Sequence, residues 1–158
     1  MELMKHLEPN DNQFTDGRLI YMIKLLETGL RPSFESALRH YGFTAAQFTA
    51  LSVLRVRPGI TSSELARRSF VRAQSMAETV GHLIDRELLE RERDPAHARR
   101  LLLYTTPKGL AELAEAETSV AVIERSILRD IGDDEKKQLM ATLRLLRHNI
   151  HQINSSSP

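Results

Sequence analysis

The apolar positions between residues 61 and 106 follow a helical spacing first and a strand-like spacing afterwards. Met76, Val80 and Leu83 are spaced i, i+4 and i+7, which predicts a helix from about residue 73 to residue 86. The polar and charged residues between them fall on the other faces of this helix. We therefore expect one buried stripe, with the opposite face exposed to solvent.

A short helix is expected before this one, and a hairpin after it. Thr61 and Glu64 have the spacing of a capping box, which predicts that the short helix begins there. Two strand-like runs, residues 88–93 and 101–106, are separated by a predicted seven-residue loop, residues 94–100. The order of helix, turn, helix and hairpin is typical of a winged helix-turn-helix, which places its second helix in a DNA groove.

A long helical pattern precedes this unit, from Asp16 to Tyr41. Its apolar stripe has a period of about 3.5 residues, which is typical of a helix that packs along another helix. Pro32 lies inside the pattern, so a kink or break is expected near Gly29–Pro32, and Gly42 is expected to end the helix. The stripe comprises Leu19, Ile23, Leu26, Leu30, Phe34, Ala37 and Tyr41.

The next helix is expected to begin at Thr44, because Thr44 and Gln47 form a second capping-box pattern. It should extend to about Arg57, where Pro58-Gly59 predicts a turn. Its inward-facing positions are expected to be Phe48, Leu51 and Leu54.

Two further helices are predicted after the hairpin. Thr106 followed by Pro107 predicts a helix start, because proline at the first helical position loses no helical hydrogen bond. Gly132 is expected to end that helix and Asp133 to cap the last one. The last helix has a regular heptad seam, which comprises Leu139, Leu143, Leu146, Ile150 and Ile153.

The helices at the two ends of the chain, about residues 16–41 and 107–153, are expected to form a dimerisation lobe. A chain of 158 residues has no obvious internal partner for all of their seams, although packing within one chain is the alternative. Because a two-fold reader of DNA needs two half-sites one helical turn apart, we favour a homodimer. The expected dimer contacts are Leu19, Ile23, Leu139, Leu143, Leu146, Ile150 and Ile153.

The expected fold is mainly α. It combines a winged helix-turn-helix, which carries a small β-hairpin wing, with N- and C-terminal helices that form the dimerisation lobe. Residues 15–153 should form a single domain, in which the winged helix-turn-helix occupies about residues 44–106. Residues 1–14 are expected to be a flexible N-terminal arm, and residues 154–158 a disordered tail.

Composition narrows the function classes. The net charge is only +1, yet residues 41–108 hold eleven Lys and Arg against seven Asp and Glu. A basic centre fits DNA binding there, although ordinary scatter of surface charge accounts equally well for so small an excess.

The absence of cysteine excludes disulfides and thiolate metal sites. A cytoplasmic location is expected, because no apolar run approaches the ~20 residues that cross a bilayer and the N-terminus is unlike a signal peptide.

Two runs of the chain carry a family resemblance: FTAAQFTALSVLRVRPGITSSELARR and LLERERDPAHARRLLLYTTPKG. With their flanking helices, over residues 15–153, they resemble the MarR family of winged-helix transcriptional regulators. The resemblance implies a homodimer, usually a repressor, that binds a pseudo-palindromic operator in double-stranded DNA. It also implies that a small molecule often releases the protein from DNA.

The second helix of the winged helix-turn-helix is the expected recognition helix. Gln74 can bond adenine bidentately, and Glu78 can accept a hydrogen bond from cytosine N4. Many relatives have Thr-Arg where this chain has Ala77-Glu78. Glu78 is therefore alternatively the partner of Ser75 in a capping box, or a charge that repels DNA. The residues expected at DNA on this helix are Arg72, Gln74, Ser75 and Glu78.

The hairpin loop reads DPAHARR and is the expected wing tip. Relatives commonly place an Asp two residues before an Arg that enters the minor groove. Here the Arg is Arg99, but the orienting position is His97, which cannot form a bidentate salt bridge; Arg100 is a second candidate. Ser62 and Ser63, at the start of the short helix, can bind a phosphate, or they simply cap the helix.

Some residues depart from the family pattern and favour a different function. Glu87 replaces the Gly usually found where the recognition helix ends, which predicts a left-handed residue or a different turn. Glu78, the altered wing and the low net charge are the basis for an alternative: a winged-helix dimer that acts as a protein-interaction module, with weak or lost DNA binding. A steep salt dependence of DNA affinity would argue against this alternative.

The resemblance also implies an effector cleft, which Tyr21, Phe34 and Tyr41 could line for a small aromatic or phenolic molecule. Core packing is the alternative for each of them. No cofactor or metal is expected, because His148 and His151 are three residues apart but lack a nearby carboxylate or thiolate pattern. No Gly-rich phosphate loop, G-x-S-x-G or H-E-x-x-H motif is present, so enzymatic activity is not expected.

Overall fold

The computed structural model describes residues 18–155. Over this range the chain forms mainly helices with one antiparallel hairpin, which is the predicted order of elements. The predicted arm, residues 1–14, lies outside the described residues. The last helix extends to Ser155, so Asn154 and Ser155 are helical and not part of a disordered tail; residues 156–158 lie outside the described residues. The elements are α1 (Arg18–Arg39), α2 (Ala45–Val56), α3 (Ser62–Arg68), α4 (Ala73–Asp85), β1 (Leu89–Asp94), β2 (His97–Thr105), α5 (Pro107–Ile127) and α6 (Asp133–Ser155).

The chain forms two compact units that divide within α5, between Val120 and Ala121. The first unit holds the hydrophobic core, to which α1 to α5 and the hairpin all contribute. Burial of a leucine side chain stabilises the fold by about 1.5–3 kcal/mol. The stripe predicted for α4 is confirmed, because its three members are at most 1% exposed. The largest fully buried side chains are Leu38, Leu51, Leu54, Leu65, Met76, Val80, Leu83, Leu88, Leu103 and Leu113.

Capping bonds begin α2 and α3. In α2 the predicted capping box is complete: the Gln47 N–H donates to Thr44 Oγ1 (3.1 Å), and the Thr44 N–H donates to Gln47 Oε1 (3.0 Å). In α3 only half of the predicted box forms, with the Glu64 N–H donating to Thr61 Oγ1 (3.2 Å). The Glu64 carboxylate instead accepts from Arg68, one turn later, at 2.7 Å.

Three helices end at a residue with positive φ, which reverses the chain and satisfies the last carbonyls. After α1 this residue is Gly42 (φ 68°), as predicted, and after α4 it is Glu87 (φ 60°). Phe70 (φ 54°) ends α3 in the same way, which the sequence did not suggest. Because a left-handed conformation costs a non-glycine residue about 1–2 kcal/mol, the turns on both sides of α4 are strained. The closing backbone bonds are Phe43 to Leu38, Val71 to Ala66 and Leu88 to Leu83.

The hairpin turns more tightly than predicted. Strand β1 runs to Asp94 and β2 begins at His97, so the turn has two residues and the predicted loop of residues 94–100 is wrong. The pairing register shifts after Arg93, which leaves residues 98–100 as a bulge in β2. The wing tip is therefore a two-residue turn followed by a bulge, and Arg99 and Arg100 lie in that bulge rather than on a long loop.

Helix α1 is continuous through Pro32, so the chain does not break near Gly29–Pro32, and a kink there stays a prediction. Leu38 is its one buried residue within the described chain, and the stripe before the proline is exposed. Arg31 donates two hydrogen bonds to Glu27, at 2.8 and 2.6 Å, which lowers the pKa of the Glu27 carboxyl. A helix with an exposed apolar stripe on one face and charged residues on another is typical of a helix that packs along a second helix.

Helices α5 and α6 begin with different caps. The Gly109 N–H donates to Thr106 Oγ1 at 3.0 Å, so Thr106 caps α5 as predicted. At α6 the prediction is wrong, because the carbonyl that accepts the first helical bond is that of Gly132, and Asp133 is already helical. The Gly132 N–H donates to the Glu135 carboxylate at 2.8 Å. This bond is the half of a capping box that the third helical residue supplies, and Gly132 has no side chain to supply the other half.

Candidate DNA-binding surface

The exposed face of α4 carries the side chains that the sequence places at DNA. Gln74, Ser75 and Glu78 lie within one turn of each other on this face, opposite the buried stripe. Arg72, at the N-cap, is exposed and makes no capping bond through its side chain. Because the first N–H groups of a helix lack helical partners, this end of α4 combines a guanidinium with backbone donors, which suits a phosphate.

The capping alternative for Glu78 is wrong. Ser75 is the third residue of α4 rather than its cap, and its carbonyl accepts a hydrogen bond from Thr79 Oγ1 at 2.9 Å. The carboxylate of Glu78 makes no hydrogen bond or ion pair within residues 18–155. The two roles that remain for the Glu78 carboxylate are hydrogen bonding to a base and repulsion of DNA.

The capping alternative for the two serines of α3 is also wrong. Thr61 occupies the N-cap, so Ser62 and Ser63 are the first two helical residues. Ser62 is half-buried and Ser63 is exposed. A contact of these residues with phosphate stays a prediction.

Asp94 organises the wing tip. One of its carboxylate oxygens accepts from the Ala96 N–H at 2.9 Å, which holds the two-residue turn. The other lies 3.5 Å from the Arg100 guanidinium. The guanidinium of Arg99 makes no hydrogen bond or ion pair within the described range. Asp94 therefore orients Arg100. The family resemblance instead implied Arg99 as the DNA-contacting arginine, with His97 at the orienting position.

Two further arginines lie on β1 and were missed by the sequence reasoning. Arg91 and Arg93 pair with Leu103 and Leu101, so they share the core-facing side of the hairpin. Both arginines are nevertheless exposed. The alternation of Glu and Arg in LERERD was the available signal, since period two separates the charges of a strand onto opposite faces. One face of the wing is therefore basic and the other acidic.

Arg86 fixes the C-terminal end of α4. Its guanidinium donates to the Gly42 carbonyl (2.7 Å), to the Tyr41 carbonyl (3.3 Å) and to the Glu112 carboxylate (2.8 Å). It also lies over the Phe43 ring, 4.8 Å from the centroid. The recognition helix is consequently held by the turn after α1 and by α5, through a residue that sequence reasoning did not single out.

Residues 41–100, which contain this surface, match the model of the MarR family. Over 131 residues the chain is 28% identical to the HTH-type transcriptional repressor Rv2887 of Mycobacterium tuberculosis, which covers 83% of this chain and 94% of that protein. The chain is similar to the MarR family in its sequence and in its fold. The family resemblance seen in the sequence is thus confirmed.

Solved structures of MarR-family proteins share the fold. The crystal structure of MarR has a TM-score of 0.76 at 26% identity, over 88% of this chain and 95% of that one. The repressor CouR, solved bound to a 23-mer DNA duplex, has a TM-score of 0.72 at 28% identity, over 81% and 91%. Rv2887 in complex with salicylic acid has a TM-score of 0.67 at 28% identity, over 81% and 95%. The predicted winged-helix fold is therefore confirmed.

Most of the residues assigned to the dimer seam are exposed. Leu19 and Ile23 on α1 are 39% and 41% exposed. On α6, Leu143 and Ile150 are 47% and 45% exposed, and Leu146 is half-buried. The remaining members, Leu139 and Ile153, are 38% and 67% exposed. Apolar side chains exposed at heptad spacing are suited to a second helix, and their place in a dimer stays a prediction.

The three aromatic residues assigned to an effector cleft do not share one environment. Tyr21 is 62% exposed. Phe34 packs edge-on against Phe48, with ring centroids 5.6 Å apart, and the Tyr41 hydroxyl lies 3.0 Å from Ser119 Oγ. Phe34 and Tyr41 are therefore part of the packing around the core, as the alternative for them held, whereas Tyr21 is not. Effector contact stays a prediction for all three.

Neither a metal cluster nor a membrane-spanning helix is found among residues 18–155. No group of three or more His, Cys, Asp or Glu is placed to hold a metal ion in this range. No helix of the same range is both long and apolar enough to cross a membrane.

Proposed function

We propose that this chain is a sequence-specific DNA-binding transcriptional regulator of the MarR family, acting as a repressor on a pseudo-palindromic operator. The observation that carries the proposal is the exposed face of α4, with Arg72, Gln74 and Ser75, next to a wing with a basic face. CouR, which shares the fold, has been solved on a DNA duplex. The proposed activity is recognition, without a catalytic step, and its place is the cytoplasm.

In the proposed complex α4 lies in the major groove, because a helix fits there and each base pair shows a distinct pattern of donors and acceptors. Gln74 reads an adenine, while Arg72 and the α4 N-terminus contact a phosphate. Ser62 and Ser63 add phosphate contacts from α3. Arg99 and Arg100 reach the backbone or the minor groove from the wing, so they contribute affinity rather than base selection.

The proposed operator complex contains two chains. A single recognition helix reads one half-site, whereas a two-fold dimer reads two, one helical turn apart. The exposed seams of α1 and α6 supply the apolar surface that such a dimer would bury. Isologous contact between these seams would set the spacing of the two α4 helices.

The proposed regulator is released from DNA by a small aromatic or phenolic molecule. Rv2887 has been solved in complex with salicylic acid, and this chain is 28% identical to it. Tyr21, Phe34 and Tyr41 are the proposed contacts. An effector that favours a dimer with the wrong spacing of half-site readers would lower operator affinity by population shift.

The test is binding of the full chain to labelled DNA from either side of its own coding region, measured by fluorescence anisotropy across a salt series. A specific site should bind at least ~10³-fold more tightly than scrambled DNA, with an affinity that falls steeply with salt. Equal, weak and salt-insensitive binding to both DNAs would contradict the proposal. That result would favour a protein-interaction module, for which the unpaired carboxylate of Glu78 is the supporting observation.

A further inference from the structure

Glu78 is an exposed carboxylate in the middle of the α4 face that carries Gln74. Some carboxylates of the first unit are paired with arginines: Glu64 with Arg68, Glu112 with Arg86, Glu117 with Arg55 and Asp94 with Arg100. Glu78 has no such partner within residues 18–155. Facing a phosphate backbone, an unpaired carboxylate is repelled, so its position on this face is favourable only where it meets a hydrogen-bond donor.

The major groove offers such donors on base edges. Cytosine presents its N4 amino group there, and a Glu or Asp side chain can accept from it. Residues four apart on a helix are about 6 Å apart along its axis, and successive base pairs are about 3.4 Å apart. Gln74 and Glu78 therefore address different base pairs of one half-site.

We propose that Glu78 is a specificity-determining residue whose carboxylate accepts a hydrogen bond from the N4 amino group of one cytosine in each half-site. This inference rests on the proposed function. It gives the operator a required C·G pair beside the base that Gln74 reads. It also accounts for a negative charge on the DNA-facing side of α4, because the charge lowers affinity for every sequence that lacks the amino group.

The test is in vitro selection of binding sites from a randomised duplex library, with the wild type, Glu78→Gln and Glu78→Ala. The wild type should enrich cytosine at one position per half-site. Glu78→Gln should shift that position toward adenine, because an amide pairs with adenine N6 and N7, and Glu78→Ala should leave it without preference. Replacing the C·G pair should weaken wild-type binding by roughly 5- to 150-fold and Glu78→Ala binding hardly at all.

Glu115→Gln is the matched control, because Glu115 is an exposed acid on α5, outside the winged helix-turn-helix. It removes the same charge and should leave every preferred base unchanged. If all variants select the wild-type sequence and Glu78→Ala merely binds all DNA more tightly, Glu78 only repels and the inference is overturned. If the wild type itself selects no sequence, the proposed function fails instead.

Gly81 is a second feature of the same face of α4, and it does not depend on the argument for Glu78. It lies one turn after Glu78, and a Cβ added there would meet no atom of the described chain within 4 Å. Glycine weakens a helix interior relative to alanine, and no packing contact within the described chain requires it here. Glycine does permit the close approach of another molecule's backbone.

We infer that Gly81 leaves clearance for the sugar–phosphate backbone at the edge of the groove, again on the basis of the proposed function. Gly81→Ala should raise the Tm by about 1–4 °C yet weaken operator binding several-fold. Thr118→Ala, on the exposed side of α5, should raise the Tm similarly and leave operator affinity unchanged. Operator affinity of Gly81→Ala equal to that of the wild type would overturn the inference, whereas a wild type without operator affinity would overturn the proposed function.

Discussion

The guanidinium of Arg86, directly after α4, donates a 2.8 Å hydrogen bond to the carboxylate of Glu112 in α5. The same side chain binds the Gly42 carbonyl, and Lys108 Nζ donates to the Arg86 carbonyl at 2.9 Å. The end of the recognition helix is therefore fixed to two other elements at once. Substitutions of Arg86 should therefore lower the free energy of unfolding of the whole first unit.

Arg86→Met is expected to lower the free energy of unfolding by about 1–2 kcal/mol, since the substitution removes charged hydrogen bonds while a third of the side chain is already exposed. Arg86→Lys keeps the charge but not the planar fork, so an intermediate loss is expected. Urea denaturation at one fixed protein concentration measures both. Equal stability of the Met variant and the wild type would show that these hydrogen bonds contribute nothing.

Glu87→Gly should stabilise the protein by roughly 0.5–1 kcal/mol, because glycine adopts the positive φ at this position without the strain of a Cβ. The ion pair that the substitution removes, to Lys108 at 3.8 Å, is exposed and contributes little. Glu87→Ala is the control, since it removes the same ion pair and keeps the strain. Thermal unfolding of the three proteins should place only the glycine variant above the wild type.

Gly109→Ala is expected to destabilise the first unit by about 1–3 kcal/mol. An added Cβ would lie 2.2 Å from the Leu88 carbonyl oxygen and 2.9 Å from Thr105 Cγ2, so the α5 N-terminus or the segment between α4 and β1 would have to move. Gly29→Ala makes the same change where nothing lies within 4 Å, and should not destabilise. Denaturant midpoints that ranked these two variants in the opposite order would contradict the packing described for Gly109.

The features that could be predicted from the sequence are those that depend on neighbours a few residues away. The capping residues Thr44 and Thr106, the left-handed turn at Gly42 and the buried stripe of α4 all follow from local spacing. The predicted loop of the wing failed because the Asp94 side chain folds the chain back after two residues. A side-chain bond of that kind leaves no periodic signal.

The candidate site was predictable only in part, for the same reason. Period 3.6 places Gln74 and Glu78 on one face of α4, and that placement holds in the structure. The pairing of Arg86 with Glu112 joins residues 26 positions apart, and no local pattern indicates it. Asp94 pairs with Arg100 and not with Arg99 because of the bulge in β2, and the sequence does not reveal that bulge.

The dimer prediction can be tested by introducing charge into the α6 seam. Leu143→Asp combined with Ile150→Asp would bury unpaired carboxylates in a dimer, so sedimentation velocity at micromolar concentration should show monomer or aggregate. Ala141→Asp combined with His148→Asp adds carboxylates to exposed positions off the seam and should leave the dimer intact. A wild type that sediments as a stable monomer would refute the prediction.

The wing and the recognition helix should differ in what their variants do to DNA binding. Arg99→Ala should weaken binding to operator and scrambled DNA alike, and lower the salt slope by roughly 0.9 for each phosphate that the variant no longer neutralises. Gln74→Ala should spare binding to scrambled DNA and cost about 1–3 kcal/mol at one base position per half-site. Salt titrations of both variants on both DNAs measure this. Unchanged affinities and slope for Arg99→Ala would exclude Arg99 from the DNA-binding residues.

The two faces of β1 give the wing an electric dipole directed across its strands. Arg91 and Arg93 stand on one side and Glu90 and Glu92 on the other, so their charges cancel in sum but not in position. In the electric field of a duplex this dipole experiences a torque, which turns the side of Arg91 and Arg93 toward the phosphates. Added salt confines that field to about 8–10 Å, so the wing would be turned toward the phosphates only in the last step of approach.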